Sequence, residues 1–225
     1  MNWPCELCGA WQGQGLCDAC LQRFAGQGMA RCPRCALASP GGRLCGACLR
    51  TPPPFDRCIV AVDYAFPWDR LVARFKFEQH AELAGLFARV LSRVLLPADV
   101  AGVDAIVPVP LSRQRLAERG YNQAWELARR LGRATGLPVH AQALTRLRDT
   151  AHQVGSQRAQ REANLRHALW MTPESSARWA GRRVALVDDV VTTGATTTAA
   201  ASVLLAAGVA QVQVWALART PAPER

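Results

Sequence analysis

The run Val184-Ala185-Leu186-Val187-Asp188-Asp189-Val190-Val191-Thr192-Thr193-Gly194-Ala195-Thr196 constrains this chain more than any other feature. Residues 184–187 are apolar and read as a short buried strand. Two adjacent carboxylates, Asp188 and Asp189, stand where that strand would end. Thr-Thr-Gly-Ala-Thr follows and opens an Ala-rich segment that reaches Leu205 without a breaker and reads as a helix. A strand, a polar turn and a helix start together make an anion site. The helix N-terminus offers N–H groups with no intrahelical acceptor and a partial positive charge. Gly194 lets the backbone come close to an anion. The hydroxyls of Thr192, Thr193 and Thr196 add short-range donors.

The carboxylates require a different partner, since they would repel a phosphate. Sugar hydroxyls and Mg²⁺ both fit them. Phosphate on one side and a diol on the other describe a ribose 5-phosphate. An ordinary strand-to-helix turn with capping Asp and Thr would account for one polar residue, not for the whole series. The run resembles the PRPP-binding motif of the type I phosphoribosyltransferases: hydrophobic strand, two acids, then Thr-Thr-Gly-x-Thr. That resemblance implies that Asp188 and Asp189 are the catalytic pair, holding the 2′- and 3′-hydroxyls directly or through Mg²⁺. It implies that Thr192, Thr193, Gly194, Ala195 and Thr196 hold the 5-phosphate.

The N-terminal part follows a different logic. Eight of the 9 cysteines lie within residues 5–48, as Cys5-x2-Cys8, Cys17-x2-Cys20, Cys32-x2-Cys35 and Cys45-x2-Cys48. The ninth, Cys58, stands alone. Each CxxC can form a tight knuckle with both sulfurs on one metal, and two knuckles complete a tetrahedral site. Two structural zinc sites are therefore expected, with the ligands paired first four and last four; crossed pairing stays open on spacing alone. Gly9 and Gly46 are expected at turns that need positive φ. The segment holds too few apolar residues for its own core, so metal must supply much of its folding energy. Residues 51–57, with Pro52-Pro53-Pro54, form a stiff linker. The expected division is 1–50, 51–57 and 58–225.

The formal charge is +10, which suits a polyanionic partner. Two zinc–thiolate sites would lower it to about +6. No apolar run approaches the ~20 residues of a membrane helix. Met1-Asn2-Trp3-Pro4-Cys5 lacks the basic and apolar regions of a secretory signal, so a cytoplasmic protein is expected.

Strands are expected at 58–64, 104–110, 137–141, 168–171, 184–187 and 211–218, and helices at 68–77, 81–96, 121–134 and from 195. Alternation of this kind predicts an α/β fold: a mostly parallel twisted sheet with helices on both faces. In residues 68–77, Leu71, Val72 and Phe75 share one helical face, with Arg70, Arg74 and Lys76 elsewhere. Basic residues among aromatics can bind single-stranded nucleic acid, although a plain amphipathic helix with Phe75 in the core explains the pattern as well. Arg113, Arg115 and Arg119 follow a strand end, where α/β sheets bind ligands, and suit a pyrophosphate as well as a solvated face. Residues 146–158 are polar, basic and without period, as lid loops are. Arg161 follows in a helix as a further substrate contact, and His152 reads as a surface residue.

Several segments together resemble the ComF family of competence proteins. They are the double cysteine module, Arg74-Phe75-Lys76-Phe77, Val107-Pro108-Val109-Pro110-Leu111, Arg119-Gly120-Tyr121-Asn122-Gln123-Ala124, the Thr150-x2-Gln153…Arg161-x2-Asn164 series and the motif at 184–196. Tyr121 stands where family members often carry Phe. The resemblance implies a type I phosphoribosyltransferase-like domain behind a double zinc ribbon. It also implies handling of single-stranded DNA beside a helicase-like translocase at the inner face of the membrane. No GxxxxGK[ST] is present, so no P-loop motor is recognisable here. Two functions follow. One is a DNA-handling protein with a pocket for PRPP. The other is a Mg²⁺-dependent phosphoribosyltransferase, for which no feature names an acceptor base or amine.

Overall fold

The structure is a computed structural model of the 225-residue chain. It describes residues 4–11, 15–25, 29–146, 169–171 and 177–222. The expected lid beyond Arg146, with His152, lies outside the described residues, as do Arg161 and the rest of the Thr150–Asn164 series.

Four parallel strands form the centre: β1 (Arg57–Asp63), β2 (Ala105–Pro108), β5 (Arg183–Val191) and β6 (Gln211–Arg219), in the order β1-β6-β5-β2. Beside β2, Val139 makes one parallel bridge to Ile106, so residues 137–141 reach the sheet as a single bridge and not as a full strand. β3 (Thr145–Arg146) and β4 (Leu169–Trp170) make a separate antiparallel pair. The chain is thus α/β with an all-parallel main sheet.

Both faces are covered, which is why the strands read as continuous apolar runs and not as alternation. In β5, Ala185 and Val187 face one core and Val184 and Leu186 the other. The first core takes α3 (Trp68–Phe77), α4 (Leu83–Ser92) and α7 (Gln123–Thr135). The second takes α8 (Ala195–Ala206), through Ala199, Ala200, Ala201 and Leu204. Two short helices, α5 (Pro97–Ala101) and α6 (Arg113–Arg119), precede β2 and α7 respectively. The expected helix over 81–96 is shorter than the sequence suggested, and Pro97 starts α5 instead of merely ending it: a proline suits the first turn of a helix. No described helix is long and apolar enough to cross a membrane.

The cysteine-rich segment carries α1 (Asp18–Phe24) and α2 (Gly46–Arg50) and does not stand apart. Cys5, Leu16, Cys17 and Cys20 belong to the first core, with Leu71 and Leu86. Trp68 donates its indole N–H to the Phe24 carbonyl at 2.6 Å. Ala36 and Phe55 belong to the second core. Gly9 has the expected positive φ of 73°. Gly46 does not, because it opens α2, where helical backbone is required.

Candidate functional site

Because β2, β5 and β6 are parallel, the turns that follow β2 and β5 leave the same edge of the sheet, side by side. Asp188 pairs in register with Ala216, Val190 with Ala218 and Val191 with Arg219, so β5 does not end at the two acids as expected but carries them within its last residues, near that edge. Each is locked by a local bond. Asp188 Oδ1 accepts from the Asp189 N–H at 2.9 Å, and Asp189 Oδ1 from the Val190 N–H at 2.8 Å. Burial and then the neighbouring Asp189 charge push Asp188 up to about 7, against the pull of Lys76. Lys76 Nζ, near the end of α3, lies 3.1 Å from Asp189 Oδ2.

The turn then behaves as its residues require. Gly194 has φ 84° and caps α8. The Thr193 hydroxyl accepts from the Ala195 N–H at 3.3 Å, and Thr197 Oγ1 donates to the Gly194 carbonyl at 2.9 Å. Thr192 and Thr193 are exposed, and Gly194, Ala195 and Thr196 half-buried. An open helix start sits beside two acids, one of them short of charge, and this suits a phosphate next to a hydroxyl-rich or cation-bearing group.

A stability measurement tests the acid pair. Asp188 titrates near 7 in the fold but near 3.9 unfolded. Folding therefore takes up a proton between those values, and stability falls as pH rises towards 7. Asp188→Asn removes that cost. Its gain in the urea midpoint should grow from about pH 4 to about pH 7, then level at on the order of 4 kcal/mol. A gain independent of pH would contradict the arrangement.

The Arg-Gly-Tyr-Asn-Gln segment fastens the adjoining turn. Gly120, with φ 78°, ends α6, and Asn122 caps α7 by accepting from the N–H groups of Ala124 at 2.9 Å and Trp125 at 3.3 Å. The Asn122 amide also donates to the Val109 carbonyl at 3.0 Å, tying α7 to the end of β2. Tyr121 packs on Phe75 at 5.6 Å and adds a hydroxyl bond to the Phe75 carbonyl, so the substitution for Phe keeps the packing. Burial pushes its hydroxyl up to about 12. Arg113 and Arg115 sit in the first turn of α6; Arg113 is exposed, and the Arg115 N–H bonds the Ser112 hydroxyl at 3.3 Å.

The basic residues of α3 have separate environments. Phe75, Leu71 and Val72 are buried, as an amphipathic helix requires. Arg74 pairs with Glu6 of the cysteine-rich segment at 2.7 Å, and Lys76 with Asp189. Arg70 is exposed and stacks over the Phe66 ring at 5.2 Å.

The structure gathers Cys5, Cys8, Cys17 and Cys20 into one group and Cys32, Cys35, Cys45 and Cys48 into another, each with its sulfurs within 4.8 Å of one another. Cys8 and Cys17 sulfurs stand 3.6 Å apart, as do those of Cys35 and Cys45. A tetrahedral ion with bonds of about 2.3 Å needs about 3.8 Å between sulfurs, so both groups fit a metal. Their electrostatics agree. Burial raises the Cys5 thiol, but the backbone groups of Cys17, Cys8 and Leu7 outweigh it and bring it to about 6. Cys20 is pushed up to about 12 by burial and by the sulfurs of Cys17, Cys8 and Cys5. Four thiolates cannot share such a site without a cation. Cys58 is buried, its thiol pushed up to about 12 by that burial, and stands outside both groups.

No protein-family model matches the chain. Competence protein F of Haemophilus influenzae is 34% identical over 210 residues, covering 91% of this chain and 90% of that protein. The chain belongs to the ComF family. DNA utilization protein YhgH of Escherichia coli K12 is 37% identical to this ComF chain over 223 residues, 97% of this chain and 96% of that one. Among solved structures, the glutamine PRPP amidotransferase from B. subtilis complexed with ADP and GMP has a TM-score of 0.38 and 23% identity. It covers 60% of this chain and 25% of that one, and at that score the likeness carries no argument.

One residue of this ComF chain escaped the sequence reading. Arg219 ends β6 and is 6% exposed. Its Nη1 donates to the carbonyls of Val191 (2.9 Å), Thr192 and Thr220 (3.1 Å), and its Nε to that of Cys35 (3.0 Å). The signal was present: a lone cation closing an apolar strand is out of place unless it is held.

Proposed function

We propose that this protein handles single-stranded DNA in natural transformation or DNA utilisation, and that its sheet edge carries a pocket for PRPP or a related ribose 5-phosphate. The relatives named for competence and DNA utilization support the first part. The observation that carries it is a groove of about 670 Å³ beside β1, lined by Arg23, Phe24, Arg31, Arg57 and Phe66. Phe66 is 63% exposed and meets Phe24 edge-on at 6.1 Å. Arg70 lies over Phe66, and Arg23 over Phe24 at 5.3 Å. An exposed ring, Phe66, beside the half-buried Phe24, each backed by a guanidinium group, suits unpaired bases and their phosphates. Arg70 leads this nucleic-acid set; Arg74 and Lys76 first have to leave Glu6 and Asp189.

The pocket is supported by the acid pair, the turn at 192–196 and the arginines Arg113 and Arg115 on the neighbouring turn, with Arg161 as a further contact. Asp188 and Asp189 would hold Mg²⁺ together with PRPP, and the ion would offset the negative charge gathered there. Two zinc ions would hold the cysteine groups as closed structural sites. The division into a double zinc ribbon at 1–50, a linker at 51–57 and a phosphoribosyltransferase-like domain at 58–225 belongs to this reading. So do a cytoplasmic place and a helicase-like translocase partner at the inner face of the membrane.

Anisotropy with a labelled oligonucleotide tests the DNA part. Affinity should fall steeply with salt, and Phe66→Ala or Arg70→Ala should each weaken binding by about tenfold. Lys76→Ala should change Mg²⁺-PRPP binding more than DNA binding. A flat salt response, or no loss on changing Phe66 and Arg70, would sink it.

The whole acid–turn series also favours a second reading, a phosphoribosyltransferase acting on a base or amine. Such a transfer needs positioning and charge stabilisation instead of a protein nucleophile. Pyrophosphate release on incubation with PRPP, Mg²⁺ and a mixture of bases decides for it; no release, with DNA binding intact, decides against it.

A further inference from the structure

We propose that Arg219 is a positioning residue for the phosphate-binding turn, and that the second cysteine group supplies both its placement and its counter-charge. The inference rests on the reading that the turn at 192–196 holds a phosphate.

Placement comes first. One buried guanidinium joins three parts of the chain: the knuckle carbonyl of Cys35, the end of β5 at Val191 and the first turn residue Thr192. In a trans peptide the C=O and N–H point in opposite directions. Drawing the Val191 and Thr192 carbonyls onto Arg219 therefore turns the N–H groups of Thr192 and Thr193 to the other side, where these exposed residues can meet an anion. Arg219 shapes the cradle from behind without touching its contents.

Charge comes second. A buried guanidinium needs an opposite charge as well as hydrogen-bond acceptors. All the acceptors of Arg219 are backbone carbonyls, and among the described residues no carboxylate forms an ion pair with it. The second cysteine group offers the charge. Four thiolates around a divalent ion carry a net charge of about −2. Cys35 belongs to that group and also gives Arg219 its carbonyl. Without metal the knuckle that presents the Cys35 carbonyl loses its anchor. Arg219 then has less reason to stay buried, and the turn loses its backing. The first cysteine group packs with α3 and α4 and makes no such link among the described residues.

Amide hydrogen exchange on the full-length, zinc-loaded chain tests this without any ligand. The reporters are the Thr220 N–H, bonded to the Val191 carbonyl at 3.0 Å, and the Thr198 N–H, bonded to the Gly194 carbonyl at 2.8 Å. Leu186 and Val214 in the central strands report on folding. Arg219→Met and Cys45→Ser should each speed exchange at the reporters by about tenfold or more, with the central strands unchanged. Arg219→Lys, a charge without the planar fork, should recover only part of the protection. Cys8→Ser, in the first group, should leave the reporters as they were. Unchanged reporters in Arg219→Met, or an equal response to Cys8→Ser and Cys45→Ser, overturn the inference. If Arg219→Met does not fold, the two cysteine variants decide alone. Calorimetry with ribose 5-phosphate adds a second arm, in which Arg219→Met should weaken binding by about tenfold. If the wild-type chain binds no ribose 5-phosphate, the proposed ligand fails, while the exchange rates still decide the link.

Discussion

Stripping metal from the cysteine groups lowers the thermal midpoint of the whole chain, not only of residues 1–50. Each structural zinc site contributes on the order of 10 kcal/mol to the folding of a small cysteine module. Here the modules are built into the body. Leu16, Cys17 and Cys20 fill the core under α3 and α4, Trp68 donates to the Phe24 carbonyl, and Arg74 pairs with Glu6. Removing the ion leaves four thiols, of which Cys20 and Cys48 are raised by burial and then by the neighbouring sulfurs. Metal analysis should find about two zinc ions per chain. A strong chelator should then lower the midpoint by more than about 10 °C, on the scale of 2–4 °C per kcal/mol for a chain of this size. A metal-free chain with an unshifted midpoint would contradict the closed sites. Acid should act as the chelator does, because thiolates that gain protons release the ion.

Replacing both acids, Asp188→Ala with Asp189→Ala, should abolish Mg²⁺-dependent PRPP binding in calorimetry, a loss of at least about 100-fold. The effect is large because the two groups act as a unit. Asp188 is held near neutrality by burial and by Asp189, and a bound cation would relieve both. The same double variant removes two crowded carboxylates but also the partner of Lys76, so its urea midpoint is measured beside the binding. Loss of binding with stability intact separates a ligand role from a structural one. Unchanged PRPP binding would remove the pocket from the proposal.

Much of this was legible in the sequence, for identifiable reasons. The apolar run at 184–187 and the strand pattern at 211–218 foretold two strands, and β5 and β6 are the central pair. The helix expected at 121–134 is α7, which Gly136 stops with φ 75°. The CxxC spacings marked the knuckles because a knuckle is a local structure; they left crossed pairing open, and the structure groups the first four and the last four cysteines, as expected. What escaped depends on distant contacts. Lys76 was legible only as a cation on a helix, because its acid lies more than a hundred residues away. Arg219 was not legible because its distant partners lie in two other segments, at Cys35 and at Val191–Thr192. Gly46 misled because a glycine after a cysteine serves equally well in a turn or at a helix start.

The strand order has a consequence for how the chain is made. β6 is the last of the described strands, yet it lies between β1 and β5. Until it leaves the ribosome, β1 has no strand to pair with. The cysteine groups, by contrast, are complete once Cys48 is out. A nascent chain would therefore hold finished cysteine knuckles against an open sheet, exposing the apolar faces of α3 and α4 until residues 211–219 arrive. Chains halted before Gln211 should have metal but no ligand site, because both the central strand and Arg219 come at the end.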